Sequence, residues 1–363
     1  MKQMDLVNEN VKMILKDSII AVVSDKPLNT VSSAFHNGGL KKTRVIVNAQ
    51  VPTDYNDHSL HQDPEAFIIN CFNKLDLKGF AEDFVGMITF AVVDAYSSAS
   101  MRDNDLAVSV IATAGCTHAE SAGEKIVTDH IAGTINLIVI IDGHPTESCL
   151  VSTVITATEA KTAALKELDV RSLYTGSEAT GTPTDAIVVA ETGRGAGIIY
   201  GGPISKLGQL VAQCTKRSVK EAVAKAPIGG YPQRRSLKER MAERHLSLEK
   251  MASELSKVKS LGANEKTITL ALEKILTDNV SATVLFAAVK INEEVERRLG
   301  ASHLQEIDEL GMRFSERIKR APEPLKRASE KIDLADLEEV DLPSFLKPIL
   351  ISMVKDALGK LET

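Results

Sequence analysis

The stretch GTINLIVIIDGHPTESCLVSTVITATEAKTAALKEL, residues 133–168, decides the fold class. Thr134–Ile141 is a run of mostly branched apolar residues between Gly133 and Asp142-Gly143. Such a run, bounded by turn residues, reads as a buried β-strand. Glu147–Leu168 is rich in Ala and Thr and contains neither Gly nor Pro, so it reads as a long helix. A strand passing into a long helix points to an α/β protein. The apolar run Ile135–Ile141 is far too short to span a bilayer.

The same alternation extends on both sides. Ser18–Ser24, Thr43–Val51, Val85–Val93, Leu106–Ala112 and Asp185–Ala190 are further β-branched runs bounded by turn residues. Gly86–Val93 and Leu106–Ala112 flank a polar, serine-rich stretch and are expected to form a long hairpin. Pro64–Asn73 and Leu207–Ala224 read as helices. The expected N-terminal domain, residues 1–226, is therefore a mixed sheet with helices and some antiparallel pairing.

Composition changes at Pro227-Ile-Gly-Gly-Tyr-Pro232, where two Pro and two Gly in six residues mark a linker, taken as 227–234. Beyond it Lys, Arg, Glu and Leu dominate and no strand signal remains. Leu248, Met251, Leu255 and Val258 follow a buried helical stripe. Gly262 reads as a stop, Asn264 as a new N-cap and Ser281 as the opening of the next helix. That helix has the stripe Val284, Ala288, Ile291, Val295, Leu299, a stop at Gly300, and outer-face pairs Glu293–Arg297 and Glu294–Arg298. Leu304–Lys319 and Phe345–Leu361 complete a small all-α domain, residues 235–363.

The whole sequence has 363 residues, 44% hydrophobic and 25% charged, with a formal net charge of −6. That suits two globular domains and opposes a general nucleic-acid binder, which would carry a basic surplus. Trp is absent and aromatics are 4%, so a base-stacking platform is not expected either. The four cysteines, Cys71, Cys116, Cys149 and Cys214, have neither CxxC nor Cys/His zinc spacing, and their scatter fits a reducing compartment. With no signal-peptide pattern at the N-terminus, a cytoplasmic protein without a membrane span is expected. The eight histidines form no recognisable metal motif, so no metal is expected in the first domain.

Several segments of the first domain are too polar and glycine-rich for ordinary core. They are Ser32-Ser-Ala-Phe-His-Asn-Gly-Gly39, Asn48, Thr113-Ala-Gly-Cys-Thr-His118, Gly133-Thr-Ile-Asn136, Thr158-Glu-Ala-Lys-Thr162, Ala179-Thr-Gly-Thr-Pro-Thr-Asp185, and Gly201-Gly202 with Gly208. Most fall at the ends of predicted strands, where loops commonly carry function. Taken in order, across residues 15–226, the set resembles the adenosylcobinamide amidohydrolase family. The resemblance implies release of aminopropanol from adenosylcobinamide to give adenosylcobyric acid, a step by which prokaryotes, notably archaea, salvage imported corrinoids.

Amide hydrolysis needs an activated water or nucleophile, a proton donor for the amine and donors for the oxyanion. Within the family's T-E-A-K-T segment, Glu159 is a candidate general acid or base. Lys161 is a candidate holder of the oxyanion or of a polar corrin group. Two positions apart on a helix they point in different directions, and the plain alternative is a pair of solvated charges. Asp185 either caps a turn or orients Thr180, Thr182 or a water. Thr182 is a conceivable nucleophile, and the Thr180-Gly181-Thr182 backbone is equally a candidate anion nest. Asn48 and Asn136 are either buried structural hydrogen bonders or readers of a corrin amide arm. Ser33, Gly38, Gly39, Thr113 and Gly115 complete the expected binding set; for the glycines the alternative is a simple turn. Cys116, His118 and His36 stand where the family pattern carries other residues, so the chemistry is not expected to depend on them.

In the second domain, Asp278–Ala288 and Ile307-Asp-Glu-Leu-Gly-Met312 are similar to segments of the helical α-ribazole-phosphate phosphatase family, which occurs fused to the amidohydrolase in this order. The glycine-rich aromatic stretch of that family is missing. Ser315–Lys319, Pro322 and Pro324 stand in its place. Such a phosphatase needs carboxylates and a divalent metal, for which Asp308 and Glu309 are candidates; the alternative is exposed helix charge in an inert, oligomerising tail. The sequence therefore predicts a hydrolase that takes a small-molecule corrinoid as substrate, requires no cofactor in its first domain, and forms a homo-oligomer if the tail is structural. The rival reading is a corrinoid carrier without turnover.

Overall fold

A computed structural model describes residues 2–52, 63–77, 83–125, 133–227, 229–231, 235–299, 307, 309–313 and 340–361. The chain divides into two compact units, Met1–Arg234 and Arg235–Thr363.

The first unit is built on a nine-stranded sheet. In chain order its elements are β1 (Lys2–Asp5), β2 (Val11–Lys16), β3 (Ile19–Ser32), β4 (Gly39–Gln50), α1 (Pro64–Lys74), β5 (Val85–Thr89), β6 (Ser97–Asp103) and β7 (Leu106–Gly115). Then follow β8 (Thr134–Asp142), β9 (His144–Pro145), α2 (Glu147–Glu167), β10 (Ala186–Glu191), β11 (Gly197–Ile198) and α3 (Lys206–Lys225). The path is β1-β2-β3-β10-β8-β7-β6, with β4 on the other edge of β3 and β5 beyond it; β9 and β11 form a separate small pair. The long β3 serves two partners on one edge: Ile19–Ser24 pairs with β2, and Asn29–Ser32 pairs with β10. Asp17 and Ser18 both take positive φ, the geometry a tight β2–β3 turn requires. Most pairings are antiparallel; β10–β8 and β4–β5 are parallel.

Alternation along the strands assigns the layers. Leu137 and Val139 of β8 face α2 and α3, in a cluster with Leu150, Ala157, Leu165, Val211 and Val223. Ile138 and Ile140 point the other way, into a cluster shared with Ile20, Val22, Ile46 and Met87. The sheet therefore curls over on itself. The outer side of its second half, Val45 and Val47, is covered by Phe67, Ile68 and Phe72 of α1. Both strands and helices carry wholly buried faces, which is why the apolar runs were so legible.

The expected hairpin of Gly86–Val93 with Leu106–Ala112 is not formed. β5 pairs in parallel with β4, and the partner of β7 is β6, the serine-rich stretch itself. β6 is an edge strand whose polar residues face a polar neighbour: Ser100 and Ser109 hydroxyls lie 2.6 Å apart across the pair. An edge strand of this kind has no apolar alternation to read.

The second unit comprises α4 (Leu237–Ala242), α5 (Leu248–Ser256), α6 (Glu265–Thr277), α7 (Asn279–Leu299) and α8 (Leu346–Gly359). Ser236 and Glu239 form a capping box on α4, and Ser247 and Asn264 cap α5 and α6. The opening of α7 differs from expectation: Asp278 is the cap, accepting the Ser281 N–H at 2.8 Å, and Ser281 sits inside the helix. Its fully buried residues are Leu285, Ala288, Val289 and Asn292; of the predicted stripe Ala288 is among them, and Ile291 and Val295 are partly buried against the same core. Asn292 is buried because its side-chain oxygen accepts the Phe345 N–H at 3.2 Å, and a buried polar residue masks a stripe. Glu294 pairs with Arg298, as expected, and with Arg297, and Glu293 pairs with Arg244 at 2.8 Å and with Lys290 at 3.2 Å. Gly300, Pro322, Pro324 and most of the expected helix Leu304–Lys319 lie outside the described residues; residues 307 and 309–313 are helical. No described helix is long and apolar enough to cross a membrane.

Candidate functional site

Lys161 lies on the buried side of α2, in line with Ala157 and Ala164, with only 9% of its surface exposed. Helical spacing fixes this: two positions on from Glu159, the side chain has turned by more than half a revolution. Glu159 consequently faces solvent, and the structure does not bring it to Lys161.

The ammonium of Lys161 contacts Asp185 Oδ2 at the start of β10. Asp185 accepts three further hydrogen bonds. Its Oδ1 takes the Ile135 N–H at 2.8 Å and the Thr182 hydroxyl, and its Oδ2 takes the Thr182 N–H at 3.2 Å. Asp185 thus closes the Thr182–Asp185 turn and accepts both the N–H and the hydroxyl of Thr182. Gly181 is required here, because a Cβ at that position would stand 2.6 Å from Asp185 Oδ2 and 2.7 Å from Lys161 Nζ.

The Ala179–Thr182 segment is fastened to the loop that follows β7. Thr180 N–H donates to the Glu120 carbonyl at 2.8 Å, and Glu120 N–H donates to the Gly181 carbonyl at 2.9 Å. Thr180 Oγ1 accepts the Ala122 N–H at 2.9 Å, so its hydroxyl serves the loop. The backbone pairing sets the Glu120 side chain beside the cluster. Its Oε2 is enclosed and has no hydrogen-bond partner among the described residues. Burial raises the Glu120 pKa, the nearby Asp185 and Glu124 charges raise it further, and Lys161 opposes them. Burial also acts on Glu124, but hydroxyls of Ser172, Ser177 and Thr175 and the Ser121 N–H outweigh it and hold that carboxylate below its ordinary value.

Asn48, Thr113 and Asn136 are brought together, but in the interior. Asn48 Nδ2 donates to Thr113 Oγ1 at 2.9 Å, and Asn136 Nδ2 donates to Asn48 Oδ1 at 2.8 Å and to the Ile88 carbonyl at 2.9 Å. Asn136 Oδ1 accepts the Ala186 N–H at 3.1 Å. All three side chains are buried. Of the two sequence readings, the geometry favours the structural one: the residues tie the two layers of the curled sheet together with their own polar atoms. Ser33 extends the β3–β10 ladder, its hydroxyl taking the Ile187 N–H at 3.0 Å. Gly38 is needed for a tight turn, since a Cβ there would lie 2.0 Å from the Ala34 carbonyl oxygen; Gly39 opens β4 and Gly115 ends β7 opposite Thr134.

Cys116 is buried, and burial pushes its thiol up to about 12, so it is no thiolate nucleophile at neutral pH. All four cysteines are free and buried. His36 stacks on Phe84 and lies 3.2 Å from Glu65. Asp308 lies outside the described residues, and Glu309 is exposed and paired with Arg313. Among the described residues no group of three or more His, Cys, Asp or Glu is placed to hold a metal.

The sequence reading passed over Glu120. The signal available was an acid two residues beyond the Thr113–His118 segment, which means nothing until the loop is folded against Gly181. A cavity of about 690 Å³, lined by Asp142, Arg194, Tyr200 and Lys206 among others, opens at the opposite end of β8 and β10. From Thr134 to Asp142 is about 26 Å of strand, so that cavity is separate from the Lys161–Asp185 cluster.

A family model described as adenosylcobinamide amidohydrolase matches residues 4–227. A protein of Methanosarcina mazei named adenosylcobinamide amidohydrolase is 31% identical over 215 residues, 57% of this chain and 94% of the relative. An uncharacterized protein of Methanocaldococcus jannaschii is 33% identical over 209 residues, 52% of this chain and 79% of the relative. Among solved structures, a Burkholderia sp. beta-aminopeptidase, 13% identical, superposes over 62% of this chain and 86% of its own with a TM-score of 0.33. The match takes in nearly all of the first unit, and the chain belongs to the adenosylcobinamide amidohydrolase family.

Proposed function

We propose that this protein hydrolyses the amide joining aminopropanol to the corrin ring of adenosylcobinamide, giving adenosylcobyric acid, and that it serves corrinoid salvage in the cytoplasm. The observation that carries this reading is the family match over residues 4–227, which includes every segment that builds the Lys161–Asp185 cluster. The printed name of the Methanosarcina mazei relative supports the same substrate.

The cluster offers groups suited to two parts of the chemistry, the oxyanion and the attacking oxygen. The Lys161 ammonium, held by Asp185, is the natural partner for the charge that grows on the carbonyl oxygen. Thr182 offers a hydroxyl whose proton already points at a carboxylate, a candidate to attack or to position water. Asp185, with four donors, acts by positioning both. The proposed reaction consumes water and calls on no cofactor.

The test is incubation of the purified full-length protein with adenosylcobinamide, followed by separation of corrinoids and assay of free aminopropanol. Adenosylcobyric acid and aminopropanol in equal amounts are expected. Tight binding of the corrinoid with no amine released would instead establish a carrier.

A further inference from the structure

Amide cleavage leaves one task that the cluster does not perform. The nitrogen must gain a proton before the amine can leave. Asp185 is occupied by four donors, Lys161 is bound to it, and the Thr182 hydroxyl donates to it. Glu120 is in a different position. Its Oε2 is enclosed and, among the described residues, has no hydrogen-bond partner, and its backbone is clamped on both sides of Thr180-Gly181, the turn that contacts Lys161 and Asp185. A polar oxygen left enclosed without a partner costs stability, and such groups cluster where proton transfer is needed.

We propose that Glu120 is the proton-transfer residue of the proposed hydrolysis, an inference that rests on that reading of the substrate. As the water oxygen bonds to the carbonyl carbon, Glu120 takes one of the water protons. It returns that proton to the nitrogen as the carbon–nitrogen bond breaks. One water is consumed, an acid and an amine are formed, and Glu120 ends as it began.

The surroundings of Glu120 suit both halves of this cycle. Asp185 from the turn before β10 and Glu124 from its own loop repel its charge, Lys161 from α2 attracts it, and Tyr174 lies close enough to feel it. Burial and like charge prevail, so the proton is held to higher pH than on an ordinary glutamate.

The experiment compares wild type, Glu120→Gln and Glu120→Asp as full-length proteins, measuring aminopropanol release from acid to neutral pH with thermal unfolding as the control for folding. Glu120→Gln is expected to lower kcat by on the order of 100-fold or more with little change in KM. It should also erase the limb on which the wild-type rate rises with pH. Glu120→Asp keeps a carboxyl and should retain part of the rate with a displaced limb. A folded Glu120→Gln protein with wild-type kcat and an unchanged limb would overturn the assignment, as would a Glu120→Asp protein identical to wild type in both if Glu120→Gln fails to fold. A wild-type protein that releases no amine would overturn the substrate reading and this inference with it, an outcome distinct from turnover that survives loss of Glu120.

Discussion

Replacing Asp185 by Asn probes the cluster at its centre. The two shapes match, so the change isolates charge and hydrogen bonding. The wild-type carboxylate accepts from Ile135 N–H, Thr182 N–H, Thr182 Oγ1 and Lys161 Nζ. An amide keeps one acceptor oxygen and puts an NH2 where the other was. Whichever way it turns, that NH2 meets two donors. The Lys161 side chain is 11% exposed and that of Asp185 17%, so solvent cannot replace the lost partner. Breaking one side of a buried pair costs about 3–5 kcal/mol. For a unit of this size that lowers Tm by on the order of 6–20 °C.

Thermal unfolding of wild type, Asp185→Asn, Lys161→Met and the double variant would measure this. The double variant should cost less than the sum of the singles, with a coupling of about 1–3 kcal/mol, because it removes the stranded charge as well as the pair. Turnover of Asp185→Asn should fall on the order of 100-fold, since Lys161 and Thr182 lose their common anchor. A Tm within about 2 °C of wild type, or strictly additive costs across the cycle, would refute the ion-pair reasoning.

Gly181→Ala places a methyl against both charged atoms; a loss of about 1–3 kcal/mol in thermal unfolding and a large drop in turnover are expected. Glu159→Gln changes an exposed charge, and its kcat and stability should stay within about twofold of wild type, in keeping with ordinary surface substitutions; a collapse of kcat would return Glu159 to the mechanism. Cys116→Ala should alter turnover by less than about threefold, and native protein should resist alkylation at that thiol, because a group pushed up to about 12 is not ionised at neutral pH.

Much of this protein is legible in one dimension. The strand Thr134–Asp142 and the helix Glu147–Glu167 declare themselves because both bury a continuous apolar surface, and the caps at Ser236, Ser247 and Asn264 are local chemistry. The ordered polar segments carry the family, because each is a short piece of backbone that a particular turn or strand end demands. What the sequence alone determined was therefore the α/β class of the first unit, the helices that follow it and the family to which the chain belongs.

Tertiary structure decided which of the polar residues meet. Lys161 and Asp185 are 24 residues apart, and only the packing of α2 against β10 joins them. Asn48 and Asn136, 88 residues apart, became an interior tie only when the sheet curled and set their strands face to face. Helix phase turned Glu159 outward, and pairing of a loop with Gly181 turned Glu120 inward. The reason is physical: periodicity records whether a side chain is buried, whereas the neighbour it is buried against is set by pairings between distant strands.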